Sequence, residues 1–402
     1  MTLILLIGLI AVPLLMIYWG IKQNDRLLQP PTLAGVAILV LVIPQVVGIY
    51  QAGANILSSD VINDHGMELA FLIHIIFYAA FAVGYIYSKD RSPYQKIELN
   101  NDRILSALFW FGCVLLTASL YANWELSQLC GGGFFAFYRQ TTGAYAIEWR
   151  GLPVLYINIA RLTYPALYCL LFVALKKPSF FRWLLVAMGA FYPLLSIVIL
   201  GRRTAVMALA LTLLIPLQFA KKWNLPRWSV IVMVLGGAVV FYSFTEYRSQ
   251  DVLNTSVADS AEALSLDSVQ TALHGNEKKT SEMAGTISVI SAINKTDDFG
   301  WGRGIWNATV SLLVPRQFVG ENFKKSLTSS WDNSHSLEKV YGGGREYYVA
   351  VTGPCGAFCE FWYLGALVFF ALGRISRLTW NRANSGSVGY MLLYVGTTPI
   401  VV

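Results

Sequence analysis

Of 402 residues, 55% are hydrophobic and only 13% are charged, whereas a soluble globular chain carries charge on roughly a quarter of its residues. That composition excludes a water-soluble domain. The formal net charge of +7 says little about partners until it is divided between two membrane sides, and no nucleic-acid partner is expected from it.

In chain order, apolar runs lie near Leu3–Tyr18, Leu33–Gln51, Met67–Tyr87, Ile104–Tyr121, Val154–Leu175, Trp183–Leu200, Thr204–Phe219 and Trp228–Thr245. After a long polar interval come Ala350–Gly373 and Val388–Val402. About 20 apolar residues cross a hydrocarbon core about 30 Å thick, so the runs read as about ten transmembrane helices. The first run lacks the basic flank of a signal peptide and reads as a retained helix. The predicted fold is an all-α integral membrane protein. Residues 1–245 carry the first eight spans, 246–349 form one large external loop with short helices, and 350–402 carry the last two.

The short connections after the odd-numbered runs are basic. They hold Lys22 and Arg26; Lys89, Arg91, Lys96 and Arg103; Lys176, Lys177 and Arg182; Lys221, Lys222 and Arg227; and Arg374, Arg377 and Arg382. The positive-inside rule makes all of these cytoplasmic, which puts the N-terminus and the 246–349 interval on the outer side. Five scattered cysteines, Cys113, Cys130, Cys169, Cys355 and Cys359, read as small buried residues. Cys355 and Cys359 share a helix face, but two thiols alone make no zinc site.

Several arginines remain that topology does not explain. Arg139 and Arg150 fall in the outer connection 122–153, and Arg202-Arg203 in a tight outer turn. Arg248, Arg303, Arg316 and Arg345 fall in the long interval. Arg161 lies inside the fifth run, where an arginine costs about 2.5–3.5 kcal/mol on insertion scales and faces a polar cavity or snorkels outward. Within the interval, Asn254–Thr296 is rich in Ser, Ala, Asp and Thr, and amphipathic helices along the membrane surface are expected there. Phe299–Phe318 reads as a helix packed on the membrane domain and stopped before Pro315. Gly342-Gly343-Gly344-Arg345 reads as a turn that lets backbone amides approach an anion.

Outward arginines suit phosphate or carboxylate recognition, because the guanidinium fork binds such groups through two parallel hydrogen bonds. Beside a bilayer, the diphosphate of a polyprenyl-linked sugar is such a group. Arginines aimed at that leaving group stabilise the transition state without a metal. The attacking hydroxyl then needs a base, for which Asp332, His335, Glu338 and Glu346 are the outer-interval candidates. The blander readings stand beside these. His335 is a solvated loop histidine, Arg202-Arg203 anchor a helix end among lipid phosphates, and Glu246 pairs with Arg248 at the interface. Glu360, deep in the ninth run, needs a polar partner, with an inter-helix ion pair as the expected one. The P-loop, GxGxxG, HExxH and GxSxG motifs are missing, as is a close acidic pair in Ala52–Gly66. Metal and cofactor use are therefore not expected.

Taken in order, Leu200-Gly-Arg-Arg-Thr204, Thr245-Glu-Tyr-Arg248, Phe299-Gly-Trp-Gly302 and Leu313-Val-Pro-Arg316, with a large outer loop before the last spans, resemble the bacterial O-antigen (oligosaccharide repeat unit) polymerases. The resemblance covers roughly the C-terminal half of the chain. It implies a GT-C-like glycosyltransferase of the bacterial inner membrane with a periplasmic active face. The substrate would be an undecaprenyl-diphosphate-linked oligosaccharide, polymerised for lipopolysaccharide or capsule. A growing glycan would pass to the non-reducing end of a new lipid-linked unit, beside membrane lipid, with a chain-length regulator and a flippase as protein partners. By that resemblance Arg202, Arg203, Arg248 and Arg316 contact diphosphates. Arg139, Arg150, Arg161, Arg303 and Arg345 rest on the topology alone. One departure is that Gln317-Phe-Val-Gly-Glu-Asn-Phe-Lys324 follows Arg316 where the family commonly has Trp and then Lys-Pro. An O-antigen ligase shares these features, differing in its acceptor. A transporter would show repeated halves and midplane charges.

Overall fold

The computed structural model describes residues 1–22, 27–52, 64–88, 101–130, 154–200, 203–221, 226–247, 282–331, 333–341 and 351–401, which are helical with no strand among them. Seven helical segments are long and apolar enough to cross a membrane: Thr2–Lys22, Pro30–Tyr50, His65–Tyr87, Asp102–Leu129, Leu155–Lys176, Phe180–Val198 and Gly353–Asn384. Shorter apolar helices, Ala205–Lys221, Ser229–Ala238 and Val388–Thr397, occupy the other three predicted runs. The chain is a multi-pass, all-α membrane protein.

Three spans depart from a straight helix. The second comprises α2 (Pro30–Ala37), a π-helical segment (Ile38–Val42) and α3 (Ile43–Ala52). Pro44 lacks the N–H that would reach back one α-turn, and Ile43 N–H instead reaches the Ile38 carbonyl in a wider turn. The fifth span breaks at Arg161-Leu162, between α6 (Val154–Ala160) and α7 (Thr163–Lys176). Pro165 is the local cause, since its ring clashes with the carbonyl four residues back. The ninth run begins at Gly353 and breaks at Trp362, which holds φ 53.

The third span, α4 (Asp64–Tyr87), packs along α17 (Gly365–Asn384). Glycines let the two backbones touch, as at many membrane helix crossings. A Cβ at Gly84 would overlap the Phe370 carbonyl, and one at Gly373 the Phe81 carbonyl.

One expectation is overturned. No surface amphipathic helix forms over 282–296. Instead α11 (Glu282–Thr296) is buried on every side from Met283 to Ile293, within the core that includes α1 (Thr2–Lys22) and α4. Its small residues, Ala284, Gly285, Ser288, Ser291 and Ala292, let neighbours approach all round. Its serines need no outside partner, as Ser288 Oγ donates to the Ala284 carbonyl at 3.0 Å. The described part of the 246–349 interval therefore supplies one buried helix as well as more exposed ones.

Candidate functional site

Just before the helix Arg303–Leu313 the chain forms a turn docked on a buried carboxylate. Glu360, 7% exposed, ends α16 (Gly353–Phe361), whose last-turn carbonyls have no partner within the helix. Gly300 N–H donates to the Cys359 carbonyl at 2.8 Å and Trp301 N–H to the Glu360 carbonyl at 2.6 Å. In return, the Glu360 side chain accepts from the N-terminal amides of α12 (Arg303–Leu313): Gly302 at 2.9 Å, and Gly304 and Ile305. The start of one helix and the end of another cap each other. A carboxylate suits that place because it meets both free amides and the positive end of the helix dipole.

This explains the glycines of Phe299-Gly-Trp-Gly302-Arg-Gly304. Gly302 holds φ 87, the left-handed region. A Cβ at Gly300 or Gly304 would strike the Glu360 carboxylate and the Trp331 ring. The expected ion pair of Glu360 is thus replaced mainly by backbone amides, with the Arg303 charge nearby as a lesser contribution. Arg303 itself turns inward. Its Nε donates to the Gly300 carbonyl at 2.9 Å and its Nη2 to the Phe299 carbonyl at 2.8 Å, with Asp298 at 3.8 Å. Its place is in the turn, half-exposed above Trp331.

From this anchor α12 runs outward and ends at Val314, before Pro315 as the sequence predicts. Its middle is tied to the segment that follows, where Trp306 Nε1 donates to the Leu327 carbonyl at 2.7 Å and Asn307 Nδ2 to the Ser329 carbonyl at 3.0 Å. Ile305, Leu312 and Leu313 stay exposed. At the far end Asn158 Nδ2 donates to the Leu312 carbonyl at 2.9 Å. Asn158 lies in α6, three residues before Arg161. The Leu313-Val-Pro-Arg316 stretch is thereby tied to the helix break that carries Arg161, whose side chain is exposed. The break is polar-supported: the Ala160 carbonyl accepts from Ser119 Oγ at 2.9 Å and from Thr163 Oγ1 at 2.8 Å. Irregular backbone at membrane depth is tolerated only with such partners.

Between α12 and the bundle lies a cavity of about 470 Å³, bounded by Tyr78, Gly304, Ile305, Ala308, Glu360 and Phe369 among others. A second polar group lies within the bundle. His74, wholly buried in α4, places Nδ1 2.7 Å from the Ala70 carbonyl and Nε2 2.9 Å from Thr352 Oγ1. The carbonyl can only accept, so Nδ1 carries the proton and Thr352 donates to Nε2. Thr352 also caps α16, and its N–H donates to Thr286 Oγ1 at 3.0 Å. Replacing His74 by Leu strands these hydroxyls and is expected to cost about 1–3 kcal/mol, seen as a lower melting temperature in detergent.

The other predicted residues are placed as follows. Arg203 begins α9 (Arg203–Lys221) and Arg316 begins α13 (Arg316–Val319). His335 is in α15 (Asn333–Tyr341), next to buried Ser336 and Leu337, while Glu338 of that helix is exposed. For Arg203, Arg316 and His335 only the backbone is described, and Arg139, Arg150, Arg202, Arg248, Asp332, Arg345 and Glu346 lie outside the described residues. Cys355 and Cys359 are buried side by side, with sulfurs 3.8 Å apart. Sequence reasoning missed the His74–Thr352–Thr286 group and the helix break at Arg161. Pro165 signalled the break, whereas nothing local signalled that His74 would meet Thr352. No family model, curated protein or solved structure matches the chain.

Proposed function

We propose that the chain is a polymerase of polyprenyl-diphosphate-linked oligosaccharides, acting on the outer face of a bacterial inner membrane. The observation that carries this reading is the tie between Asn158 and Leu312. It ties α6, which ends just before Arg161, to the end of α12, four residues before Arg316. The sequence offers Arg316 as a diphosphate ligand by resemblance and Arg161 as a substrate-binding residue by topology alone. The apolar cavity beside α12 supports it by offering a membrane-level surface for an isoprenoid chain.

In this reading the acceptor hydroxyl oxygen attacks the anomeric carbon of the donor glycan. The bond from that carbon to the diphosphate oxygen breaks, and the diphosphate leaves with the electron pair. Arginines neutralise the departing charge, which is where preorganised cations contribute most. The hydroxyl proton passes to a carboxylate or neutral histidine of the outer interval, with Asp332, His335 and Glu346 as the candidates. The Glu360 carboxylate is committed to backbone amides and acts as a support.

The test is a polymerisation assay on purified protein in lipid with an undecaprenyl-diphosphate repeat unit and EDTA, read as product length on a gel. A ladder is expected, and Arg161→Ala or Arg316→Ala should lower its rate by roughly 10²-fold. Glycan transferred only to added lipid A core indicates a ligase instead. Transbilayer movement of the lipid without any new glycosidic bond overturns the enzyme reading.

A further inference from the structure

A second cavity, of about 270 Å³, lies between α2 with its π segment, α9 and α10 (Ser229–Tyr247). Every side chain that lines it is apolar, among them Leu33, Val36, Ala210, Leu214 and Met233, and Gly236 and Gly237 leave it open.

Three buried polar atoms lie just beyond the lining, on the chain segments that form the slot. Gln29 Oε1, Gln218 Nε2 and Ser229 Oγ are buried, and none has a hydrogen-bond partner among the described residues. Helix spacing places them together. Gln218 lies four residues after Leu214 on α9 and Ser229 four before Met233 on α10, so each continues the lining face of its helix, while Gln29 precedes α2 and directly follows the lining residue Leu28. Packing brings the three ends to one level. Leu27 and Val230 share an apolar cluster, and Tyr394, which donates to the Leu28 carbonyl, has its ring 6.4 Å from Phe219. A buried polar group with no partner costs about 1–3 kcal/mol. Three of them beside one apolar slot suit the polar end of an amphipath.

The chemistry of these atoms defines the ligand. Gln29 Oε1 needs a donor, Gln218 Nε2 needs an acceptor, and Ser229 serves as either. A bare isoprenoid chain supplies neither. The same end of the bundle carries exposed Lys22, Lys221 and Arg227, and exposed Trp228, the pattern of an anionic-lipid interface. We propose that this is a site for phosphatidylglycerol from the surrounding leaflet. One acyl chain fills the slot, and the ester and glycerol hydroxyl groups meet Gln218, Ser229 and Gln29. The slot backs onto the cavity beside α12 across Ala37 and Leu41, and its ligand does not depend on the glycan reading.

The experiment is native mass spectrometry of the full chain in detergent, titrated with phosphatidylglycerol, phosphatidylcholine or undecaprenyl phosphate. The unmutated chain is expected to retain one phosphatidylglycerol in preference to both other lipids. Gly236→Leu, placed where a Cβ meets nothing within 4 Å, should fill the slot and abolish retention. Gln218→Leu should weaken retention about tenfold, the equivalent of one good hydrogen bond. Gly389→Leu, also in open space, serves as the folded control and should retain the lipid. Equal retention in Gly236→Leu, no preference over phosphatidylcholine, or preferential capture of undecaprenyl phosphate would each overturn the proposal.

Discussion

Glu360→Ala is expected to lower stability by about 3 kcal/mol or more and to release the N-terminal end of α12. The carboxylate accepts the amides of Gly302, Gly304 and Ile305, and hydrogen bonds to a charged group contribute about 1.5–3 kcal/mol each. Part of that sum offsets the cost of holding a carboxylate among apolar neighbours, which sets the net value below the total. Glu360→Gln keeps one acceptor oxygen and should fall between the two. Gly304→Ala should act through the same contact, because its Cβ occupies the place of Glu360 Oε1. The Glu360→Ala/Gly304→Ala pair should therefore be strongly non-additive, with the double variant close to the worse single one. Melting temperature gives the energies, and limited proteolysis near Trp306 gives the detachment of α12. Additive losses would mean that the glycine and the carboxylate do not share one contact.

Gly373→Val should be the most disruptive change in the membrane bundle. The obstacle at this position is backbone, the Phe81 carbonyl and the Tyr85 amide, so no side-chain rotation relieves it. Inserting even a methyl group into such a crossing costs about 1–3 kcal/mol, and a branched side chain more. Gly84→Ala meets the Phe370 carbonyl from the opposite helix and should cost a similar amount. Gly389→Ala meets nothing within 4 Å and should be neutral. Folded yield from the membrane, followed by thermal unfolding of what is recovered, orders the three variants.

Much of this architecture is legible in the sequence, because span length and apolar composition answer directly to the bilayer. The stop of α12 before Pro315 is legible for the same reason, since it depends on one residue. α11 was not. Its Ser and Thr content reads as surface, yet the small side chains serve close packing on all faces and bond back to their own helix. Glu360 was readable as costly, but its partner was not. An arginine is the obvious match for a buried carboxylate, whereas backbone amides carry no mark in a sequence. The glycines of Phe299–Gly304 held the clue, since two of them leave room for a group that must come from elsewhere. Arg303 shows a role the sequence did not mark: its half-exposed guanidinium donates to the turn carbonyls of Phe299 and Gly300. Of the site arginines, Arg161 is the one whose side chain is both described and turned outward.

The proposed transfer requires the face bearing α12 and Arg161 to lie outside, away from the basic connections. Single cysteines at Ser330 and Ser179, both exposed, report this directly in a chain with Cys113 changed to Ser. Intact cells would be treated with a membrane-impermeant maleimide before and after permeabilisation. Labelling of Ser330→Cys in intact cells, with Ser179→Cys labelled only after permeabilisation, is the predicted result. The reverse pattern would put the arginines on the cytoplasmic side and contradict the proposed transfer from a lipid-linked glycan at the outer face.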